Sequence, residues 1–289
     1  MWKYLRLIRI KHWMKNLLLF FPIVFSGLLS EAEICLKVIA GFFAFSNVAS
    51  IVYILNDLRD IERDKIHPEK RNRPLASGAI TRVGSVITIG VLIVVTFLIF
   101  GICHFPYKFY GYLALYLCIN IAYSLGLKNI PLIDITILSA GYLLRLLSGG
   151  ELAGTGISDW MFLTVVSAAF FLGFGKRRNE LLQYGEKNRK ILERYTESFL
   201  DKSMQLFCAL TVVFYSLSCA DKDTAVARQG VNLIWSVPLV ILVLVRYNMI
   251  LEDGKSDGDP VEVLQKDKVL LFLIAFYGIA VLLLIYGCK

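Results

Sequence analysis

Nine blocks of mostly apolar residues punctuate this chain, at roughly 16–30, 34–55, 83–103, 107–126, 131–150, 158–175, 204–220, 232–251 and 269–287. A tilted helix of about 20 such residues crosses about 30 Å of hydrocarbon, and a helix satisfies its own backbone hydrogen bonds where no water can. The pattern predicts an all-α polytopic membrane protein of about nine transmembrane helices, forming a single domain over residues 1–289. With 57% hydrophobic residues and a mean hydropathy of +0.63, the composition excludes an ordinary soluble domain. Met1 to Asn16 is basic and Leu17 to Ser30 apolar, but no clear small-residue cleavage site follows, so this block is read as the first span rather than a leader. The six cysteines form no CxxC pair and lie mostly in apolar segments, which argues against a disulfide framework or a zinc site.

Where the charge lies sets the orientation. The net charge of +8 is carried mostly by loops, which points to lipid headgroups and anionic substrates rather than nucleic acid. With Met1 inside, the inner segments hold 24 Lys/Arg and the outer ones 5, so the N-terminus is expected in the cytoplasm and the C-terminus outside. Trp2, Leu5, Ile8, Arg9 and Trp13 suggest a basic amphipathic helix on the inner leaflet, and the acidic, Gly-rich stretch 252–268 reads as a solvated linker. The two longest inner loops, 58–82 and 176–202, each follow an even-numbered span, which hints at a pseudo-repeat.

Chemistry concentrates after the second span. In Asn56-Asp57-Leu58-Arg59-Asp60-Ile61-Glu62-Arg63-Asp64, helical spacing puts Asp57, Asp60 and Asp64 on one side. Like charges stacked on one helix face repel, and a divalent cation removes that cost. Oxygen-only ligands favour Mg²⁺, which binds through one or two carboxylates plus phosphate oxygens. The bland alternative is a salt-bridged helix end in water, which leaves unexplained why Asn56 and Asp57 end an apolar span. Next comes His67-Pro68-Glu69-Lys70-Arg71-Asn72-Arg73-Pro74, where prolines stop the helix and cations stand beside the carboxylates, as a bound phosphate requires. Lys70 and Arg73 are therefore expected to touch substrate, and His67 to be a loop hydrogen-bonder. Arg145, well inside the fifth span, is expected to cap carbonyls or pair within the bundle.

The NDxxDxxxD pattern closing a second span, followed by a basic loop, resembles the UbiA superfamily of intramembrane transferases. The resemblance implies helices around a central cavity, with magnesium-binding motifs at its cytoplasmic mouth. Four motifs narrow it: KHWMKN (Lys11 to Asn16), NDLRDIERDKIHPEKRNRPLASG, YSLGLKNIPLIDI (Tyr123 to Ile135) and GKRRNEL (Gly175 to Leu181) look like the decaprenyl-phosphate phosphoribosyltransferase branch. Prenyl-diphosphate enzymes of the superfamily carry a second aspartate-rich motif after span six. Here that place reads Lys176-Arg177-Arg178-Asn179-Glu180, which trades metal capacity for direct phosphate contacts.

The resemblance implies transfer of 5-phosphoribosyl from phosphoribosyl diphosphate to a polyprenyl phosphate at the inner face of the cell membrane, for precursors of arabinose-containing envelope polymers. Asn56, Asp57, Asp60 and Asp64 are expected to hold Mg²⁺, the three aspartates being catalytic. Lys70, Arg73, Lys128, Lys176 and Arg177 are expected to clamp phosphates, with Tyr123 and Glu180 as further substrate contacts. Asp134, at the start of span five, is expected to favour a helix N-terminus rather than touch substrate. Membrane lipids are expected partners, and self-association is left open. Rival readings are a UbiA-type prenyltransferase with an aromatic acceptor, a transporter with a cytoplasmic cation site, and a lipid-binding scaffold.

Overall fold

A computed structural model describes residues 2–68, 70–185, 191–224, 226–227, 230–254 and 258–287. The expected inner loops thus lose Glu69, residues 186–190 and 255–257 from the description. The described residues are helical, with no strand among them. In chain order the helices are α1 (Trp2–Leu7), α2 (Phe21–Phe25), α3 (Ala32–Arg59), α4 (Ile61–Ile66), α5 (Arg82–Ile102), α6 (Tyr107–Leu125), α7 (Ile133–Ala153), α8 (Asp159–Tyr184), α9 (Glu197–Ala220), α10 (Val237–Glu252), α11 (Pro260–Lys266) and α12 (Lys268–Tyr286).

Every apolar block coincides with helix, but nine is an approximate number of crossings. Among the described residues six stretches are long and apolar enough on their own: α3, α5, α8, α9, Leu233–Glu252 and α12. The first block is not one helix. A 3₁₀ stretch, Ile10–Phe20, passes into the five-residue α2, and its backbone lies directly on α7. A Cβ added to Gly149 of α7 would stand 2.2 Å from the Leu19 carbonyl oxygen and 2.9 Å from its Cα, so only glycine permits this approach. On the outside, α5 and α12 expose Phe97, Leu98, Phe272 and Leu283. Apolar faces of that kind are accounted for by lipid contact.

Two clusters meet across α7. Leu19, Phe45, Phe109, Tyr116, Leu144 and Leu152 join the N-terminal segment to α3, α6 and α7. Ile135, Phe171, Phe174, Leu200, Tyr247 and Leu251 join the start of α7 to α8, α9 and α10. Side chains of Thr81, Ser158, Thr196, Asp259 and Asp267 accept backbone N–H bonds at the starts of α5, α8, α9, α11 and α12.

The N-terminal helix α1 exposes Trp2 and Tyr4 and buries Leu7; the chain then turns at Arg9 (φ 51), and Trp13 Nε1 donates to Ser50 Oγ at 3.0 Å, which ties the segment to the bundle. One expectation is corrected: the described part of 252–268 is not a solvated linker. Gly258 and Asp259 press on α8, and Asp259 is 6% exposed. Composition reports that segment's polarity, whereas the cations facing it, which decide its burial, come from remote parts of the chain.

Candidate active site

Between α3, α6, α7, α8 and the N-terminal segment lies a cavity of about 210 Å³. Among the described residues its wall carries eight cationic side chains, Arg9, Lys15, Arg63, Lys70, Arg73, Lys128, Arg145 and Lys176, against three carboxylates, Asp60, Asp64 and Asp259. A buried surface so unbalanced favours an anion of several charges. Asn56 and Tyr123 also face it, so eight of the expected site residues share one cavity.

At one pole α3 stops at Asp60, and α4 restarts at a new angle. The three aspartates therefore do not share one continuous helix face, as their spacing had suggested. Asp57 and Asp64 converge on the Arg73 guanidinium, at 3.1 and 2.7 Å, while Asp60 turns to Lys128 at 2.8 Å. Arg9 Nη2 adds a 2.6 Å bond to Asp57. Repulsion among the carboxylates is thus relieved by cations from three other segments. Asp57 is 3% exposed and stands behind Arg9 and Arg73 rather than on the wall. Asn56 Oδ1 accepts from Ser124 on α6 at 3.1 Å.

The other pole is formed by Asp259, whose Oδ2 receives both Lys15 and Lys176 at 3.1 Å. Burial alone would raise the Asp259 carboxyl, but Lys15, Lys176 and His12 together hold it well below its ordinary range. Lys15, which precedes the first crossing, is raised: burial opposes its charge, and Asp259 more than compensates. His12 is pushed down to about 3, first by burial and then by Lys15, so the imidazole is neutral. Its Nδ1 is buried without a hydrogen-bond partner.

Arg177 and Glu180 are not brought to the wall. Arg177, 1% exposed, donates to Asp134 at 2.5 Å, to Glu180, and to the Tyr123 hydroxyl at 3.2 Å. Asp134 also accepts from Tyr195 at 2.8 Å. This network locks α7 to α8 and presents Tyr123 to the cavity from behind. Asp134 is thus a buried counter-ion, a stronger role than favouring a helix end. Arg178 faces away, bonding Asp201 and the Leu251 carbonyl.

Arg145 is satisfied inside the bundle as expected, by Asn16 Oδ1 at 2.6 Å, the Gly141 carbonyl at 2.6 Å and the Tyr116 hydroxyl at 3.1 Å. It also forms the cavity floor, its guanidinium lying over the Phe45, Tyr116 and Tyr142 rings. Sequence reasoning passed over Arg9, His12, Lys15 and Asp259 as site residues. A signal existed for three of them: KHWMKN holds His12 and Lys15, and Asp259-Pro260 has the form of an N-cap followed by a first-turn proline.

Fold and cavity together define a multi-pass α-helical membrane protein whose bundle encloses a cation-rich, carboxylate-bearing chamber. The chain belongs to the UbiA prenyltransferase family, whose model matches residues 19–257. It is 33% identical to the decaprenyl-phosphate phosphoribosyltransferase of Mycolicibacterium smegmatis, over 95% of this chain and 90% of that protein. The protein of the same name from Corynebacterium glutamicum is 31% identical over 98% of this chain and 86% of its own length. In fold the chain is similar to a UbiA homolog from Archaeoglobus fulgidus solved with GPP and Mg²⁺. That likeness has a TM-score of 0.72 at 18% identity and covers 97% of this chain and 99% of the other.

Proposed function

We propose that this protein transfers the 5-phosphoribosyl group from 5-phosphoribosyl 1-diphosphate to a polyprenyl phosphate at the cytoplasmic face of the cell membrane, releasing diphosphate. The observation that carries the reading is the cavity wall, where eight cations outnumber three carboxylates and Lys176 occupies the second-motif position. Two phosphorylated substrates require such an excess of positive charge, and an aromatic acceptor does not. The activity of the relatives that match nearly the whole chain, decaprenyl-phosphate phosphoribosyltransferases by name, supports the same reading. The product fits a role in supplying arabinan precursors for the cell envelope.

Magnesium fits the donor set. Asn56, Asp57, Asp60 and Asp64 offer only oxygens, and Asn56, Asp60 and Asp64 face the cavity. Among the described residues no group of three or more His, Cys, Asp or Glu is gathered as a ready cage. Mg²⁺ needs none, since it takes one or two carboxylates and completes its shell with phosphate oxygens and water. When bound, the ion neutralises the diphosphate leaving group.

The chain's own residues supply the rest. Lys70, Arg73 and Lys128 stand beside the aspartates and clamp the donor's phosphates, the last two exchanging carboxylate partners for phosphate oxygens. Tyr123, held by Arg177 with Glu180 behind it, contacts the donor's ribose or phosphate. As the bond from the anomeric carbon to the diphosphate oxygen breaks, the diphosphate leaves with the electron pair. An acceptor phosphate oxygen, already an anion, forms the new bond from the opposite face, with inversion. No general base is needed, and the wall's value is to hold the two groups in line.

The test is purified protein with labelled phosphoribosyl diphosphate, a polyprenyl phosphate and Mg²⁺. Label should enter the lipid phase and vanish on chelation. Activity with geranyl diphosphate and an aromatic acceptor, with none from phosphoribosyl diphosphate, overturns the reading.

A further inference from the structure

A second cavity, of about 260 Å³, lies between α2, α8, α9, α10 and α12, lined by Phe25, Val165, Ala168, Tyr215, Leu244 and Tyr277 among others. Four of its five hydroxyls are paired within the protein. The Thr164 and Thr211 hydroxyls donate to the carbonyls of Trp160 and Phe207, both at 2.7 Å. The Tyr215 hydroxyl is bonded to Ser236 at 2.7 Å and to Tyr277 at 3.0 Å. A chamber with most of its hydroxyls paired in this way offers a ligand mainly contact area, which suits a hydrocarbon chain.

One face of α8 joins this chamber to the polar one. Met161, Val165 and Ala168 line the apolar cavity, and Ala169, Leu172 and Lys176 line the polar cavity. Met161, Val165, Ala168, Leu172 and Lys176, at spacings of four, three, four and four, fall along one stripe, which at 1.5 Å per residue runs about 22 Å. At its polar end Lys176 and Lys15 converge on a single oxygen of Asp259, each at 3.1 Å. An ammonium has three donors, so the pair can hold a phosphate while Asp259 fixes their spacing.

We propose that this stripe is the seat of the lipid acceptor. Its phosphate is taken by Lys15 and Lys176, with Asp259 as a positioning residue, and its first isoprene units lie along α8 into the apolar cavity. The inference rests on the phosphoribosyl-transfer reading for its substrate. It adds a division of labour, with the donor's diphosphate at the Asp60–Asp64 pole and the acceptor at the Asp259 pole. The continuity of the α8 face commits the second pole to the lipid, because a soluble donor has no use for an apolar chamber.

The test compares a long polyprenyl phosphate with a two-isoprene phosphate as acceptors. Ala168→Trp should raise KM for the long acceptor about tenfold or more, as loss of a buried chain's contacts implies, and leave the short one unchanged. Lys15→Ala should raise KM for both acceptors about tenfold or more, as loss of a charge-assisted bond implies, with KM for phosphoribosyl diphosphate unaltered. Equal effects of Ala168→Trp on both lengths, no effect on either, or a Lys15→Ala effect on the donor overturns the proposal. A readout independent of turnover uses wild-type protein and a polyprenyl phosphate bearing a photoreactive group on its fourth isoprene unit. Cross-links should map to α8, α9 or α10 and be competed by unlabelled polyprenyl phosphate but not by phosphatidylglycerol. Cross-links elsewhere, or equal competition by the phospholipid, overturn it. If wild type cross-links as expected yet transfers no phosphoribosyl group, the activity reading fails while the lipid seat stands.

Discussion

Gly258 sets how closely the Asp259 loop seats on α8, and Gly258→Ala tests whether that seat holds the two lysines. Its φ of +77 is left-handed, where a side chain costs about 1 kcal/mol. The added Cβ would lie 2.8 Å from Lys176 Cα and 3.1 Å from the Gly175 carbonyl oxygen. Both are backbone atoms of a packed helix, so the loop must lift instead. A rise of several tenths of an ångström stretches the two 3.1 Å contacts to Asp259 beyond useful hydrogen-bond length. Weakening buried charge-assisted bonds adds roughly 1.5–3 kcal/mol, for a total of about 2.5–4 kcal/mol. Gly254 provides the control: its φ is +65, but a Cβ there meets nothing nearer than the Glu252 carbonyl oxygen at 4.0 Å. Gly254→Ala should cost only the backbone term, about 1 kcal/mol. Apparent Tm in detergent, read by intrinsic fluorescence at one scan rate, should fall distinctly further for Gly258→Ala. Equal losses would refute the idea that contact with α8, rather than backbone conformation, is what glycine serves.

Three further outcomes are expected. Asp57→Asn and Asp60→Asn should each abolish phosphoribosyl transfer while the protein remains extractable and monodisperse, and near-normal rates in both would remove the metal assignment. Lys176→Ala should lower turnover and, by removing one of the two cations on Asp259, lower Tm as well. Arg178→Ala, which unpairs Asp201 and removes one of the two donors to the Leu251 carbonyl, should cost about 1–3 kcal/mol of stability and affect turnover less; matched activity losses would show the second motif to be misplaced. The pH dependence follows from the Asp259 pole. A carboxyl lowered from 3.8 contributes stability that is present above its unfolded value and lost as pH falls through the folded one. Lys15, raised from 10.5, contributes stability present below that value and lost as pH rises through its folded one. The Tm difference between wild type and Asp259→Asn should therefore be flat across neutral pH, between those two unfolded values, and shrink only outside them, in acid below about 4 and in alkali above about 10.5. A difference that changes steadily from pH 6 to 8 would contradict this.

The acidic motif shows how far residue spacing carries. Asn56-Asp57 at the end of an apolar span, with Asp60 and Asp64 a turn apart, pointed to a helix end whose carboxylates need compensation, and Asn56, Asp60 and Asp64 line the cation-rich cavity. Spacing could not say which cation compensates which carboxylate. The break between α3 and α4 at Asp60 sends Asp57 and Asp64 to Arg73 and Asp60 to Lys128. GKRRNEL was readable as basic, but its three cations diverge around one helix turn. Lys176 enters the cavity, Arg177 is buried on Asp134 and Arg178 binds Asp201.

What the chain determines by itself is its relation to the bilayer. Apolar length, the bias of Lys/Arg among loops and the order of four motifs are local properties, written in consecutive residues because lipid acts on each segment separately. The tertiary structure decided the partners. Lys15 meets Asp259 across 244 positions, and Arg145 meets Asn16 across 129. Such pairs exist only where remote segments pack, since a charge deep in the bundle finds its counter-group by proximity in space and leaves no periodic trace in the sequence.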